Sequence, residues 1–332
     1  MATPRNETLT VFSFLATINL LFAHMDDLVA SRPLPVAILG TTFSDAALFS
    51  FCALSAYFLG RHVGEKGWLR AALAKRVPTL LVPYVLWCVI SAAAHCLMGW
   101  HLPPGFRGLN HLFGLSLGQT PECFQMWYIK SLYLFMFASP LFVWPLLKFR
   151  SFAARVALMA AAVAAYFCAK HFGLTAMKPF AHGGFELLAF LFFCGGLWLS
   201  QVKPSTAWIA AAASRRPVLL GVGTLGVWLA SSVWAYHHPA CFEFNVLVGA
   251  ISLLLIASAV KRLPSVLTRN MFFVFGSHIM LRDWLWKYLD FGNPLATYLL
   301  AIVVVLALGI FLGELLRRFV PSLYAPLVGG RV

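Results

Sequence analysis

The sequence predicts an all-α membrane protein, a polytopic bundle of about ten transmembrane helices with both termini in the cytoplasm. Composition is the first reason. Of 332 residues 61% are hydrophobic and 11% charged, with a mean hydropathy of +0.82, and a soluble chain of this length could not hide so much apolar surface. The second is that apolar runs long enough to cross a hydrocarbon core of about 30 Å recur along the whole chain. The third is the placement of the 25 Lys and Arg residues. With the N-terminus inside, 18 fall on the inner side, 6 on the outer side, and Lys130 lies within a span; this is a positive-inside distribution.

The elements follow in order. A first span near 8–25 carries Leu9, Phe12, Phe14, Ile18 and Phe22 and has no convincing small-x-small cleavage site before His24, so it should persist as a helix and not act as a signal peptide. A Phe-rich second span near 42–60 returns to Arg61, Lys66, Arg70, Lys75 and Arg76 inside. The third, near 77–99, contains Pro83, which should kink it and free backbone carbonyls. The fourth, near 126–147, descends to Lys148, Arg150 and Arg155; the fifth, near 152–169, rises to Lys170 and Lys178. Spans near 183–200 and 217–236 flank Lys203, Arg215 and Arg216, and spans near 244–260 and 271–288 flank Lys261, Arg262 and Arg269. The tenth, near 294–315, ends at Arg317 and Arg318, with Arg331 beyond. Ten such helices use most of the chain, so residues 1–332 read as one membrane domain.

Several classes drop out. The net charge of +14 is mostly a topology signal, so no nucleic-acid partner is expected. Of seven cysteines, Cys52, Cys88, Cys168 and Cys194 lie inside spans as small core residues. Cys123 and Cys241 fall in outer loops, which leaves a disulfide between them open. There is no glycine-rich phosphate loop, Cys-x-x-Cys pair or zinc motif, and no internal repeat of the inverted-repeat transporter kind. His95, His101 and His111 near one outer connection, and His237-His238 near another, form no ligand pattern, so no metal is expected.

Polar residues inside the spans carry the chemistry. His24 closes the first span, and Thr17, Ser13 and Thr10 behind it and Asp27 ahead share a stripe about 100° wide. Such a stripe is costly in lipid and should face protein or a wet cavity. Lys130 stands one turn after Trp127; it reads either as a snorkelling lysine or as a cation that holds substrate. His278 has Arg282 one turn on, giving either a satisfied structural imidazole or a polar cavity face. Asp283 and Asp290 are candidate partners for these cations. Arg76, with Arg70, reads either as a topology charge or as a positive inner mouth suited to phosphate.

Four ordered segments together resemble the acyltransferase type 3 family of integral membrane acyltransferases. They are Ile18–His24, closing on a histidine; Leu48–Tyr57, a Phe-rich stretch with Ser55, Ala56 and Tyr57; Lys75-Arg76 followed by Leu81-Val82-Pro83-Tyr84 and Trp87; and Trp127–Leu132. Phe272–His278 is similar to a late helix of the same family. The chain departs from the family pattern at Ser13 and Thr79, where a basic residue and an arginine are common, at Ala56 in place of glycine, and at Lys130 in place of arginine.

The resemblance implies transfer of an acyl group, acetyl by default, from cytosolic acyl-coenzyme A to a hydroxyl of a cell-surface glycan or its lipid-linked precursor, in a bacterial inner membrane. Arg76, helped by Lys75 and Arg70, would hold the donor phosphates. His24 would take the hydroxyl proton, its unperturbed pKa near 6.5 suiting a base, or relay the acyl group covalently. Asp27 or Asp45 would orient the imidazole. Lys130 and Arg282 would stabilise the oxyanion or bind acceptor, with Trp127, His278, Ser55 and Tyr57 also among the substrate-binding residues. About 25–30 Å of hydrocarbon separates the expected levels of His24 and Arg76, a span for an extended donor arm or an acyl-histidine. The competing class is a transporter or flippase using His24, Lys130 and Arg282 in a polar pathway; a purely structural membrane partner leaves the first helix's stripe unexplained. Oligomeric state is not legible.

Overall fold

The structure, a computed structural model, describes residues 7–29, 32–99, 101–180, 185–202, 215–260, 263–285, 288 and 292–330, with the side chains of Asp27 and Lys178 outside that description. Arg5, Lys203, Lys261, Arg262, Lys287, Asp290 and Arg331, which enter the reading of the sequence above, lie outside the described residues, as do both chain ends.

The described residues are overwhelmingly helical. In chain order they form α1 (Glu7–Met25), α2 (Leu34–Ile38), α3 (Ala46–Gly60), α4 (Trp68–Arg76), α5 (Val82–Leu97), α6 (Gly105–Phe113), α7 (Trp127–Lys148), α8 (Phe152–His171), α9 (Leu187–Val202), α10 (Pro217–His237), α11 (Phe242–Ala259), α12 (Ser265–Arg269), α13 (Met271–Leu285), α14 (Pro294–Phe319) and α15 (Pro321–Leu327). Eight helical segments among the described residues are long and apolar enough to cross a membrane: 7–25, 34–60, 68–97, 124–148, 152–171, 217–237, 239–259 and 294–319. The shorter α9 is apolar as well, and α13 covers much of the remaining stretch expected near 271–288. A helical membrane bundle is therefore what the composition foretold.

Two of these rods contain irregular turns. Wider π turns at Leu39–Phe43 and Val77–Leu81 join α2 to α3 and α4 to α5. The second contains Pro78 and directly precedes Pro83, residues that lack N–H groups, so the irregularity expected at Pro83 is met by a π turn just before it. It also lengthens the third span, which begins at Trp68 and not near residue 77. Arg70, Lys75 and Arg76 are consequently helical residues of α4, not a connecting loop.

The chain divides into two compact units, residues 1–50 with 205–321, and residues 51–204 with 322–332. In the first unit, Leu21, Met25, Val36, Val274, Tyr298 and Val305 form a buried core where α1, α13 and α14 meet. Close approach of α14 to α13 depends on Gly309 and Gly313, whose absent Cβ atoms would fall 3.0 Å from Val274 Cγ2 and 2.8 Å from Asn270 Oδ1. The π turn at Leu39–Phe43 is bound on both sides by buried amides. Asn19 Nδ2 donates to Phe43 O at 3.1 Å, and Asn19 Oδ1 accepts from Ala47 N at 3.1 Å. Asn245 donates to Thr42 O, and Thr42 Oγ1 donates to Ser232 O at 2.9 Å. Backbone groups released by the irregular turn thus find partners without water.

In the second unit, α9 lies on the second half of α3 backbone to backbone. A Cβ on Gly196 would come within 2.0 Å of Ala53 O, and Gln201 Nε2 donates to Gly60 O at 2.6 Å. Small residues permit this contact, as expected where lipid supplies no hydrophobic drive between helices. Trp87 Nε1 donates to Leu327 O at 3.1 Å, tying α15 to α5.

Candidate active site

The last turn of α1 is where the polar groups of the first unit converge. A helix leaves its final four carbonyls without regular partners, and here two are taken by side chains from later helices. Tyr298 OH donates to Phe22 O at 2.7 Å, and Arg282 Nη1 donates to His24 O at 3.0 Å. A cation at a helix C-terminus also complements the helix dipole. Arg282 in turn binds Asp283 Oδ1 through Nε at 2.8 Å and Nη2 at 2.7 Å. The expected pairing of Arg282 with Asp283 is present; Asp290 is outside the described residues.

The His24 ring lies beside that of His278, with centroids 5.1 Å apart and planes tilted by 37°. His24 is half-buried, whereas His278 has no exposed surface. His278 Nδ1 lies 2.8 Å from Phe275 O. A carbonyl can only accept, so Nδ1 carries the hydrogen. His278 Nε2 is buried and has no hydrogen-bond partner among the described residues.

The carboxylates expected near His24 divide differently. Asp27 closes this turn, but its side chain is outside the description, and Asp45 is half-buried in the turn before α3. The buried carboxylate here is Asp26, which binds Arg32 at 3.0 Å and packs against Gly40, where any Cβ would lie 2.9 Å from that of Asp26. Sequence reasoning passed over Asp26 because it falls off the stripe through His24. The stripe itself needs no wet cavity at two of its positions: Ser13 Oγ donates to Leu9 O and Thr17 Oγ1 to Ser13 O, each at 2.9 Å, within their own helix.

In the second unit, α4 presents Arg70 and Lys75 exposed and Arg76 half-buried, within electrostatic reach of Tyr128 and Tyr133 on α7. An apolar cleft of about 590 Å³ between α4 and α7 is lined by Leu69, Leu73, Val77, Leu81, Tyr133 and Phe137, together with Arg70. Ser55 is half-buried and Tyr57 exposed on α3, and Trp127 is buried at the start of α7. The Lys130 ammonium donates to Ser116 O at 2.7 Å and Gln119 O at 2.9 Å, so it holds the loop that precedes α7. This loop-tying comes in addition to the two roles that its position in the sequence suggested.

One reading of the outer connections needs correction, and one open alternative closes. His95 and His111 do organise: their Nδ1 atoms flank the two oxygens of Glu122, His95 on Oε1 and His111 on Oε2 at 3.1 Å, and the Glu122 side chain is 6% exposed. Their sequence separation hid this, because the turn that brings residue 122 back to α5 has no periodic signature. Cys123 and Cys241 are both free thiols. Trp234 Nε1 lies 3.3 Å from Cys241 Sγ, and Cys123 is buried. Burial, then Cys88 and the Glu122 carboxylate, push the Cys123 thiol well above its usual range. Among the described residues no three His, Cys, Asp or Glu side chains are grouped to hold a metal ion.

A helical membrane bundle with two adjacent imidazoles and an arginine at a helix end defines an integral membrane protein with titratable groups inside its bundle. A family model described as an acyltransferase domain, that of the acyltransferase type 3 family, matches residues 11–314. The chain belongs to this family and is a membrane acyltransferase. No curated protein and no solved structure matches it.

Proposed function

We propose that this acyltransferase moves an acetyl or other short acyl group from acyl-coenzyme A to a hydroxyl of a cell-surface glycan or its lipid-linked precursor. The observation that carries the reading is the imidazole of His24 on the last turn of α1, beside His278 and with its own carbonyl held by Arg282. A base needs a fixed direction before it needs a tuned pKa, and the end of an apolar helix would otherwise fray.

In this mechanism the acceptor hydroxyl gives its proton to His24 while its oxygen forms a bond to the thioester carbonyl carbon. The carbon–sulfur bond then breaks, and the departing coenzyme A sulfur takes the proton from His24. The oxyanion formed between these steps needs donors; Arg282 is the candidate cation beside His24. Lys130, whose ammonium already donates to two loop carbonyls, is the other candidate that the sequence offers. The donor's phosphates are assigned to Arg76, with Lys75 and Arg70, since guanidinium groups engage phosphate oxygens in pairs. Trp127, Ser55 and Tyr57 remain candidates for acceptor contacts. A covalent acyl-histidine at His24 is the variant in which acyl transfer occurs twice. On this reading the enzyme works in a bacterial inner membrane, as the family suggests, and the positive-inside distribution supports cytoplasmic termini.

The test is acyl transfer from radiolabelled acetyl-coenzyme A in inverted membrane vesicles, comparing wild type with His24→Ala and Arg76→Ala at matched expression. Label on a glycan or lipid-linked product, lost in His24→Ala, is the expected result. Loss in Arg76→Ala that excess donor partly restores is expected for a phosphate-binding arginine. No label transfer from several acyl donors, with native acceptors supplied, overturns the assignment of substrates.

A further inference from the structure

At the end of α14, three guanidinium groups from two helices converge on one carboxylate, and acyl transfer at His24 uses none of them. Arg269, the last residue of α12, donates to Glu314 Oε2 through Nε at 3.0 Å and Nη2 at 2.7 Å. Arg317 donates to Oε2 through Nε at 3.1 Å and to Oε1 through Nη2 at 2.6 Å. Arg318 donates to Oε1 through Nε at 3.0 Å. One arginine in paired geometry satisfies a carboxylate, so a lock between α12 and α14 accounts for Arg269 and Glu314 and leaves two cations over. Glu7, at the start of the neighbouring α1, makes no ion pair among the described residues. A topology signal needs cations near a helix end but no carboxylate that gathers them. Like charges held this close repel one another, and a further anion relieves that repulsion.

The surroundings select the kind of anion. The Glu314 side chain is 13% exposed and that of Arg318 66%, and among the described residues the Arg318 guanidinium makes its one bond through Nε, which leaves both Nη groups for a further acceptor. Val303, Ala307, Phe311 and Leu315 stand exposed on the successive turns of α14 that lead to Arg318, and the exposed Phe319 follows it. An apolar strip on a helix long enough to span a membrane, ending on an exposed guanidinium, matches both halves of a phospholipid, its acyl chains and its phosphate. A soluble phosphate would use only the second half.

We infer that the Arg318 end of α14 is a binding site for an anionic phospholipid. The phosphodiester oxygens accept from the Nη groups of Arg318. Arg317 and Arg269 supply the field that favours an anionic over a zwitterionic headgroup, and Glu314 sets the geometry by holding all three arginines. The acyl chains run along Phe311 and Leu315. The site stands apart from His24 and does not depend on the reaction assigned to it.

The test is native mass spectrometry of the purified full-length protein with an equimolar mixture of phosphatidylglycerol and phosphatidylcholine of the same acyl chains. Wild type is expected to retain phosphatidylglycerol at least about fivefold over phosphatidylcholine, the order of effect that one basic residue has on an anionic lipid. Arg318→Ala should lower that preference about three- to tenfold. Arg318→Lys keeps the charge without the fork and should lower it about twofold; it also serves if the alanine variant fails to fold. Arg216→Ala, at an exposed arginine just before α10, should leave the preference within about twofold of wild type. Equal retention of the two lipids by wild type overturns the inference, as does a preference in the Arg318 variants no lower than in Arg216→Ala. Displacement of phosphatidylglycerol by inorganic phosphate or coenzyme A at matched concentration would make this a site for soluble phosphates, and overturns it too.

Discussion

Replacing Arg282 with methionine keeps the length of the side chain and removes its donors. Among the interactions lost are the hydrogen bond from Nη1 to His24 O at 3.0 Å and the paired contacts to Asp283 at 2.8 and 2.7 Å. The Arg282 side chain is 14% exposed and that of Asp283 30%, so water replaces little of what is lost around the arginine and more around the carboxylate. A hydrogen bond to a charged group is worth about 1.5–3 kcal/mol; the Asp283 pair, nearer to solvent, adds at most about 1 kcal/mol. If the first contribution acts on the placement of His24 in the transition state, transfer falls about 10- to 150-fold at 1.36 kcal/mol per decade. Arg282→Lys keeps the charge but cannot span both partners, and should fall between wild type and Arg282→Met. The assay is acyl transfer in membranes, with thermal unfolding of the purified variants measured in the same detergent. Transfer within twofold of wild type in Arg282→Met would show that the arginine does not position His24. An unchanged rate with a lowered Tm would assign it to the fold alone.

Asn19→Leu removes both amide contacts across the irregular turn, leaving Phe43 O and Ala47 N unpaired in a buried site; a loss of about 2–6 kcal/mol is expected, read as a lowered Tm, and a loss under about 0.5 kcal/mol would refute the bridging role. Gly196→Ala places a Cβ 2.0 Å from Ala53 O, whereas Gly195→Ala meets nothing nearer than Met159 Cε at 3.9 Å; the first should cost about 1–3 kcal/mol or more and the second should be near neutral, and equal Tm values would contradict the close packing of α9 on α3. The Cys123 thiol is raised by burial and by neighbouring Cys88 and Glu122, so it stays protonated at neutral pH and its thiolate population grows only on alkaline titration. Maleimide at pH 7.5 should therefore modify the exposed Cys96 and spare Cys123; equal labelling would show that the loop before α7 is open.

What the sequence revealed and what it concealed have separate physical origins. The bundle was legible because an apolar helix must satisfy its backbone internally in lipid, which forces runs of the right length between charged connections. His24, His278 and Arg282 were legible because polar groups in such runs are costly and stand out. Their convergence was not, since His278 follows His24 by more than two hundred residues and only packing of α13 on α1 brings the rings together. Asn19 and Asn245 carried the same signal as His24, a lone polar side chain in an apolar run, and their task of serving the π turn could be known only once that turn was seen. Lys130 shows the converse: a cation in the right place for substrate is engaged by the carbonyls of its own loop. Glu122 was overlooked because its partners come from α5 and α6, and neither spacing nor periodicity links them.

The central claim is that His24 is the base of an acyl transfer, and the most direct measurement is the transfer rate of His24→Gln against wild type, at matched expression, with acetyl-coenzyme A and native membranes as the acceptor source. The account predicts labelled glycan or lipid-linked product from wild type and a loss of at least about 10²-fold in the variant, with its Tm preserved. Equal transfer by the two proteins would contradict it. So would substrate movement across the vesicle membrane that requires no acyl donor, because a transporter would then be the simpler description of the same polar core.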